Sequence, residues 1–121
     1  MSNFIVIGAV SAAISVAAGA FGAHGLRGKI SDDMLIVFET GARYQMYHAL
    51  GLILIGIVLM NRPSSALNTA GWLMTVGTLL FSGSLYGLAL GGPKFLGPIT
   101  PLGGTAFMIA WGMFAYAVLR S

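Results

Sequence analysis

"TGARYQMYHALGLILIGIVLMNRP", residues Thr40 to Pro63, opens on polar side chains and closes on a polar turn. Between Tyr44 and Met60 it carries no acid, lysine or arginine. A helix needs about 20 residues to cross a hydrocarbon core at 1.5 Å per residue, so a span from Tyr44 to Met60 is short by itself. The residues upstream supply the missing length. Ser31-Asp32-Asp33 suits a helix start, with two acids placed well for the helix dipole. Met34 to Phe38 continue apolar, and Glu39 and Arg43 follow at i and i+4. Residues 32–43 are therefore expected to form an interfacial segment running into the second span, with a bend at Gly41.

Three further apolar stretches flank this one: Phe4 to Ala23, Ala66 to Leu90 and Leu102 to Leu119. The 121-residue chain is 57% hydrophobic and 7% charged, against roughly 25% charged residues in soluble domains. The expected fold class is all-α: one polytopic membrane domain, residues 1–121, with spans at 4–23, 44–60, 66–90 and 102–119. The first span lacks a positive region before Phe4, although Ala18-Gly19-Ala20 would pass as a signal-peptidase site; it is read as a retained helix. Gly91-Gly92-Pro93-Lys94 and Gly97-Pro98-Ile99-Thr100-Pro101 are expected to break the chain between the last two spans.

Charge sets an expected topology. Arg27, Lys29, Arg43 and Lys94 fall at one end of the spans, Arg62 and Arg120 at the other. The positive-inside rule puts the first group in the cytoplasm and both termini outside, in a multi-pass protein of the cell membrane. The net charge of +3 comes from scattered residues with no basic stripe, so membrane lipids are the expected partners and nucleic acid is not. The chain has no cysteine, which excludes disulfides, thiolate nucleophiles and cysteine-based metal sites.

Small residues suggest where helices meet. Gly83, Gly87 and Gly91 make a GxxxGxxxG ridge, and Ser11, Ser15, Gly19 and Ala23 make another. Such ridges let backbones approach closely, within one protomer or against a second copy or another membrane protein. Tyr44 and Tyr47 suit an interfacial belt, whereas Trp72 and Trp111 lie several residues inside their spans.

Chemical candidates are few. His24 and His48 lie near one membrane face, but a metal site needs three or four ligands, and no HxxxH pair or carboxylate trio accompanies them. No metal, haem or other cofactor is expected. No nucleophile elbow, Walker loop or paired catalytic carboxylate is present, so catalysis is not expected. Small multidrug exporters and fluoride channels are four-helix chains of similar length. The exporters rely on an acid in the first span, and this first span has none. A passive small-solute or ion pathway stays open as the alternative function.

"GAFGAHGL" (Gly19–Leu26), "TGARYQMYHALGL" (Thr40–Leu52), "LFSGSLYGLAL" (Leu80–Leu90) and "GPITPLGGTAFMIAWG" (Gly97–Gly112) occur in that order and cover most of the chain. Together they resemble the YgdD/YwdK-type domain-of-unknown-function family of small inner-membrane proteins, which has eukaryotic transmembrane relatives. The resemblance implies a four-helix membrane protein with no established enzymatic activity and no catalytic residues to carry over. Its strings contain His24, Arg43, Gln45, Tyr47, His48, Ser82, Ser84, Tyr86, Thr100 and Pro101. If four helices alternate in direction, all four strings meet at one membrane face. The expectation is a hydrogen-bonded polar cap there, with Arg43, Gln45, Tyr47 and His48 satisfying one another, Ser82, Ser84 and Thr100, and with Glu39 beside Arg43. Function is expected through packing and contact with lipids or partner proteins, bearing on cell-envelope integrity.

Overall fold

The computed structural model describes residues 3–120, which form four long helices joined by short turns. Helix α1 (Asn3–Ala20) continues into a π-helical turn over Phe21–Gly25. Helices α2 (Asp32–Asn61), α3 (Ser65–Ala89) and α4 (Leu96–Leu119) follow. All four are long and apolar enough to cross a membrane. The chain is an all-α, polytopic membrane protein.

Helix starts follow the expected chemistry. Ser31 caps α2 by accepting from the Met34 amide at 3.2 Å, and Ser64 caps α3 by accepting from the Leu67 amide at 3.2 Å. The interfacial segment is not a separate element: α2 is one unbroken helix through Gly41. A Cβ on Gly41 would sit 3.0 Å from the Tyr86 ring, so this glycine lets α3 pack closely against α2.

Two further expectations are corrected. Helix α4 begins at Leu96, before the Gly-Pro stretch assigned to a break. Pro98 falls in the first turn, where an amide would have no intrahelical partner, so its missing N–H costs little. Pro101 lies inside the helix, where its ring faces the carbonyl of Gly97 in the first turn. Of the GxxxGxxxG ridge only Gly87 packs against another helix within the protomer, where a Cβ would stand 2.6 Å from the Leu96 side chain of α4. Gly91 lies beyond α3 with φ +91°. The Gly92 amide donates to the Gly87 carbonyl at 2.7 Å and the Gly91 amide to that of Leu88 at 3.2 Å, the Schellman stop in which glycine takes the left-handed position. Gly83 meets nothing within 4 Å, and neither does Gly19 on α1.

The helices alternate in direction, and each packs along its sequence neighbour. Ser11 and Ser15 of the expected α1 ridge do lie on the α1–α2 seam, but the close backbone approaches are at other residues. A Cβ on Gly8 would stand 2.6 Å from the Ala49 carbonyl oxygen, bringing α1 onto α2. One on Gly103 would strike the Phe81 backbone, bringing α4 onto α3. With no hydrophobic drive between helices in lipid, such contacts supply the packing energy. The main core gathers Phe4, Leu52, Ile55, Leu67, Ala70, Met74, Ala110 and Ala117. A second, smaller core of Leu26, Phe38 and Ala89 lies at the end where α1 stops and α2 begins. Large hydrophobics such as Val10, Leu79 and Met108 face outward, as lipid contact requires. Trp72 and Trp111 are only partly buried: Trp72 packs edge-on to Phe4 at 5.3 Å, and Trp111 lies 5.9 Å from His48.

The helix axis gives a scale for the membrane. Arg43 and Arg62 are about 28 Å apart along α2 at 1.5 Å per residue, close to the roughly 30 Å thickness of a hydrocarbon core. On α4, Thr100 and Arg120 are separated by about 30 Å on the same reckoning. These separations match the thickness of a hydrocarbon core, with Arg43 and Thr100 at one end of the bundle and Arg62 and Arg120 at the other.

Candidate functional site

A layer of buried polar side chains separates the two apolar cores. Helix α2 presents Phe38, Gly41, Ala42, Gln45, His48, Ala49, Leu52, Ile55 and Gly56 to the interior, the i, i+3, i+4, i+7 stripe of a helix with one buried face. Gln45 is the hub. Its Nε2 donates to the Ser11 carbonyl at 3.1 Å and lies 3.2 Å from the Ser11 hydroxyl, both on α1. Its Oε1 accepts from the Tyr86 hydroxyl on α3 at 2.7 Å. One amide therefore joins three helices.

Two serines clamp α2 from either side. Ser15 on α1 donates to the Ala42 carbonyl and Ser82 on α3 donates to the Gly41 carbonyl, each at 2.6 Å. Ser84 donates to the Phe81 carbonyl at 2.9 Å. The Thr100 hydroxyl reaches the Leu96 carbonyl at 3.4 Å, and a 2.5 Å bond between the Thr100 and Ser84 hydroxyls, in which either can donate, ties α4 to α3. His48 is held differently. Its Nδ1–H donates to the Tyr44 carbonyl at 2.7 Å, which leaves Nε2 as the acceptor of the neutral ring. Its face lies on Phe107 of α4, centroids 3.4 Å apart and planes within 6°.

Of the residues expected in the cap, the structure brings together Gln45, Ser82, Ser84, Tyr86 and Thr100, and joins to them Ser11 and Ser15, expected only as packing residues. His48 shares their level but bonds its own helix. Arg43, Tyr47, Glu39 and His24 stand outside the layer and are exposed. Arg43 and Tyr47 do not satisfy Gln45 or His48. The reason is helical phase: Arg43 and Gln45 are two residues apart, so their side chains leave α2 in nearly opposite directions. His24 sits on the π-helical turn. Glu39 and Arg43 share one face but form no ion pair. Among the described residues no three His, Asp or Glu side chains converge as a metal site would require.

Sequence reading missed the aromatic partners Phe81 and Phe107 and the acceptor carbonyls of Gly41 and Ala42. The spacing of Gly8, Ser11, Ser15 and Gly22 along α1 was the available signal for the α1–α2 seam; Gly8, Ser15 and Gly22 are buried.

Among the described residues, no buried side-chain nitrogen or oxygen lacks a hydrogen-bond partner. The hydroxyls and the Gln45 amide of the layer bond one another and backbone carbonyls, whereas His48 Nε2 has no hydrogen-bond partner among the described residues.

The Protein of unknown function (DUF423) family model matches residues 18–104, which contain most of this layer. The chain belongs to that family. It is 51% identical to the UPF0382 membrane protein YwdK of Bacillus subtilis (strain 168), covering 99% of this chain and 98% of that protein. It is 48% identical to the UPF0382 membrane protein SERP0230 of Staphylococcus epidermidis and 50% identical to SAB0533 of Staphylococcus aureus, with the same coverage in each case. No solved structure matches the chain. The names of these relatives describe membrane proteins and indicate no catalysis.

Proposed function

We propose that this DUF423-family protein acts without catalysis, as a compact membrane module whose outer surface contacts lipids and partner proteins and so supports the integrity of the cell envelope. The observation that carries this reading is the hydrogen-bonded polar layer. The buried Ser15, Gln45, Ser82 and Ser84 side chains are spent on joining helices, and His48 bonds its own helix, which favours a structural use over turnover or passage. Beneath the layer, Leu52, Ile55 and Met74 fill the interior, all less than 2% exposed. Thr75 and Thr78 on α3 bond carbonyls of their own helix, so the interior offers a solute few polar steps across the hydrocarbon. The surface that remains available is the lipid-facing one. The charge distribution supports an orientation with the Arg27, Lys29 and Lys94 connections in the cytoplasm.

Liposomes carrying the purified protein test the reading against its alternative, a small-solute or ion pathway. No saturable flux is expected across a panel of monovalent ions and small solutes. Saturable flux abolished by Gln45→Ala in a variant that remains folded would replace the surface role with a transport role. Cells lacking the protein should in turn show heightened sensitivity to osmotic and detergent stress, restored by the wild-type chain.

A further inference from the structure

The outer face between α1 and α2 carries a groove of about 380 Å³ lined by Ser15, Val16, Gly19, Glu39, Arg43 and Tyr47, among others. Three features of it point to one ligand. The first is depth. Arg43 and Arg62 are about 28 Å apart along α2, so a hydrocarbon core of roughly 30 Å fits between them and sets Arg43 level with phospholipid headgroups. The second is unspent charge. Glu39 and Arg43 stand one helical turn apart on the groove's rim, both exposed, with no ion pair between them and no intramolecular hydrogen bond from either side chain. The third is order along the membrane normal. Moving inward, the lining passes from Glu39 to Arg43, then to Met46 and Tyr47 on α2, and from Gly19 to Val16 on α1. Anion, cation and apolar wall follow in sequence.

We propose that this groove binds a phospholipid whose headgroup carries both a phosphate and a primary ammonium. The phosphodiester lies nearest the glycerol and meets the Arg43 guanidinium, which offers paired donors to phosphate oxygens. The ammonium lies one short linker further out and meets the Glu39 carboxylate. The first part of an acyl chain runs inward along Val16 and Met46. Gly19 leaves the floor open, since nothing lies within 4 Å of a Cβ built there. Glu39 makes the specificity. A headgroup bearing only the phosphate charge meets Arg43 but is repelled by Glu39, and a quaternary ammonium has no N–H to donate. This inference deepens the surface-contact reading above and rests on it.

Native mass spectrometry of the full chain in detergent, with equimolar phosphatidylethanolamine, phosphatidylglycerol and phosphatidylcholine of identical acyl chains, tests it. The ethanolamine lipid is expected to exceed each of the others by about two- to fivefold, the scale of one exposed charge contact. Glu39→Gln should remove the preference over phosphatidylglycerol, and Arg43→Gln should weaken retention of both. Both side chains are exposed, so neither variant should shift the thermal midpoint. An ethanolamine preference of one or less in the wild type, or one that survives Glu39→Gln, overturns the headgroup assignment and leaves the surface reading standing. Saturable flux in the liposome experiment would instead remove the reading on which it rests.

Discussion

Ser15 and Ser82, carried by α1 and α3, donate to adjacent carbonyls of the helix between them, Ala42 and Gly41, each at 2.6 Å. The two hydroxyls hold α2 from two sides at the level where the polar layer gives way to the smaller apolar core around Phe38. Both carbonyls lie within α2 and already accept from the amide four residues ahead. The serines add a second bond to each.

This arrangement sets the cost of losing a clamp. Ser15→Ala or Ser82→Ala leaves the carbonyl with its helical partner, so nothing is orphaned. Each substitution should destabilise the fold by about 0.5–1.5 kcal/mol, the range for a single hydrogen bond and close to values for interhelical bonds in membranes. Unfolding in mixed micelles with increasing SDS measures it. A loss above about 3 kcal/mol for either would mean that the hydroxyl has a partner beyond the carbonyl.

Tyr86→Phe should cost more than Ser82→Ala. Removing the phenol leaves Gln45 Oε1 buried without its donor, and an unsatisfied buried acceptor costs about 1–3 kcal/mol. Gln45→Ala strips partners from both Ser11 and Tyr86 and should exceed Tyr86→Phe. A cycle of Gln45→Ala, Tyr86→Phe and the double variant in the same assay should show the two losses to be less than additive. Additivity would show that the 2.7 Å contact contributes nothing to stability.

The glycines separate into two classes that predict opposite outcomes. Gly8→Ala places a methyl 2.6 Å from the Ala49 carbonyl oxygen, a backbone atom that yields only if α1 moves away. Overpacking of this kind costs about 1–3 kcal/mol. Gly83→Ala meets nothing within 4 Å and should be neutral or stabilise by up to about 1 kcal/mol through helix propensity. If Gly83→Ala instead lowered stability in a concentration-dependent way, the outer face of α3 would be an interface between copies.

Composition and apolar run length were enough to read four spans, because only helices satisfy their own backbone across a bilayer without closing a barrel. The alternation that gathers the four quoted strings at one end was legible for the same reason. Less legible was which polar residues enter the layer. Arg43, Gln45, Tyr47 and His48 are neighbours in sequence, but the helical repeat turns Gln45 and His48 inward and Arg43 and Tyr47 outward. That division follows from the buried stripe running from Phe38 to Gly56, a pattern present in the sequence once 32–61 is taken as one helix. The bounds of α4 were obscured because Pro98 and Pro101 were read by residue type alone, without their place in the first turns. Gly91 was hidden by its spacing, which imitates a packing ridge while the residue serves as a helix stop.

Orientation can be tested directly because the chain has no cysteine of its own. Lys29 and Lys94 lie in the α1–α2 and α3–α4 connections and Arg62 ends α2, so single cysteines at these exposed sites report two faces. In intact cells, Arg62→Cys should react with a membrane-impermeant maleimide, whereas Lys29→Cys and Lys94→Cys should react only after permeabilisation. The opposite pattern would invert the protein in the membrane and keep the bundle. Lys29→Cys and Lys94→Cys reacting from different sides would contradict the alternation of the helices itself, because the bonds from α1 to α2, α2 to α3 and α3 to α4 require both connections at one end.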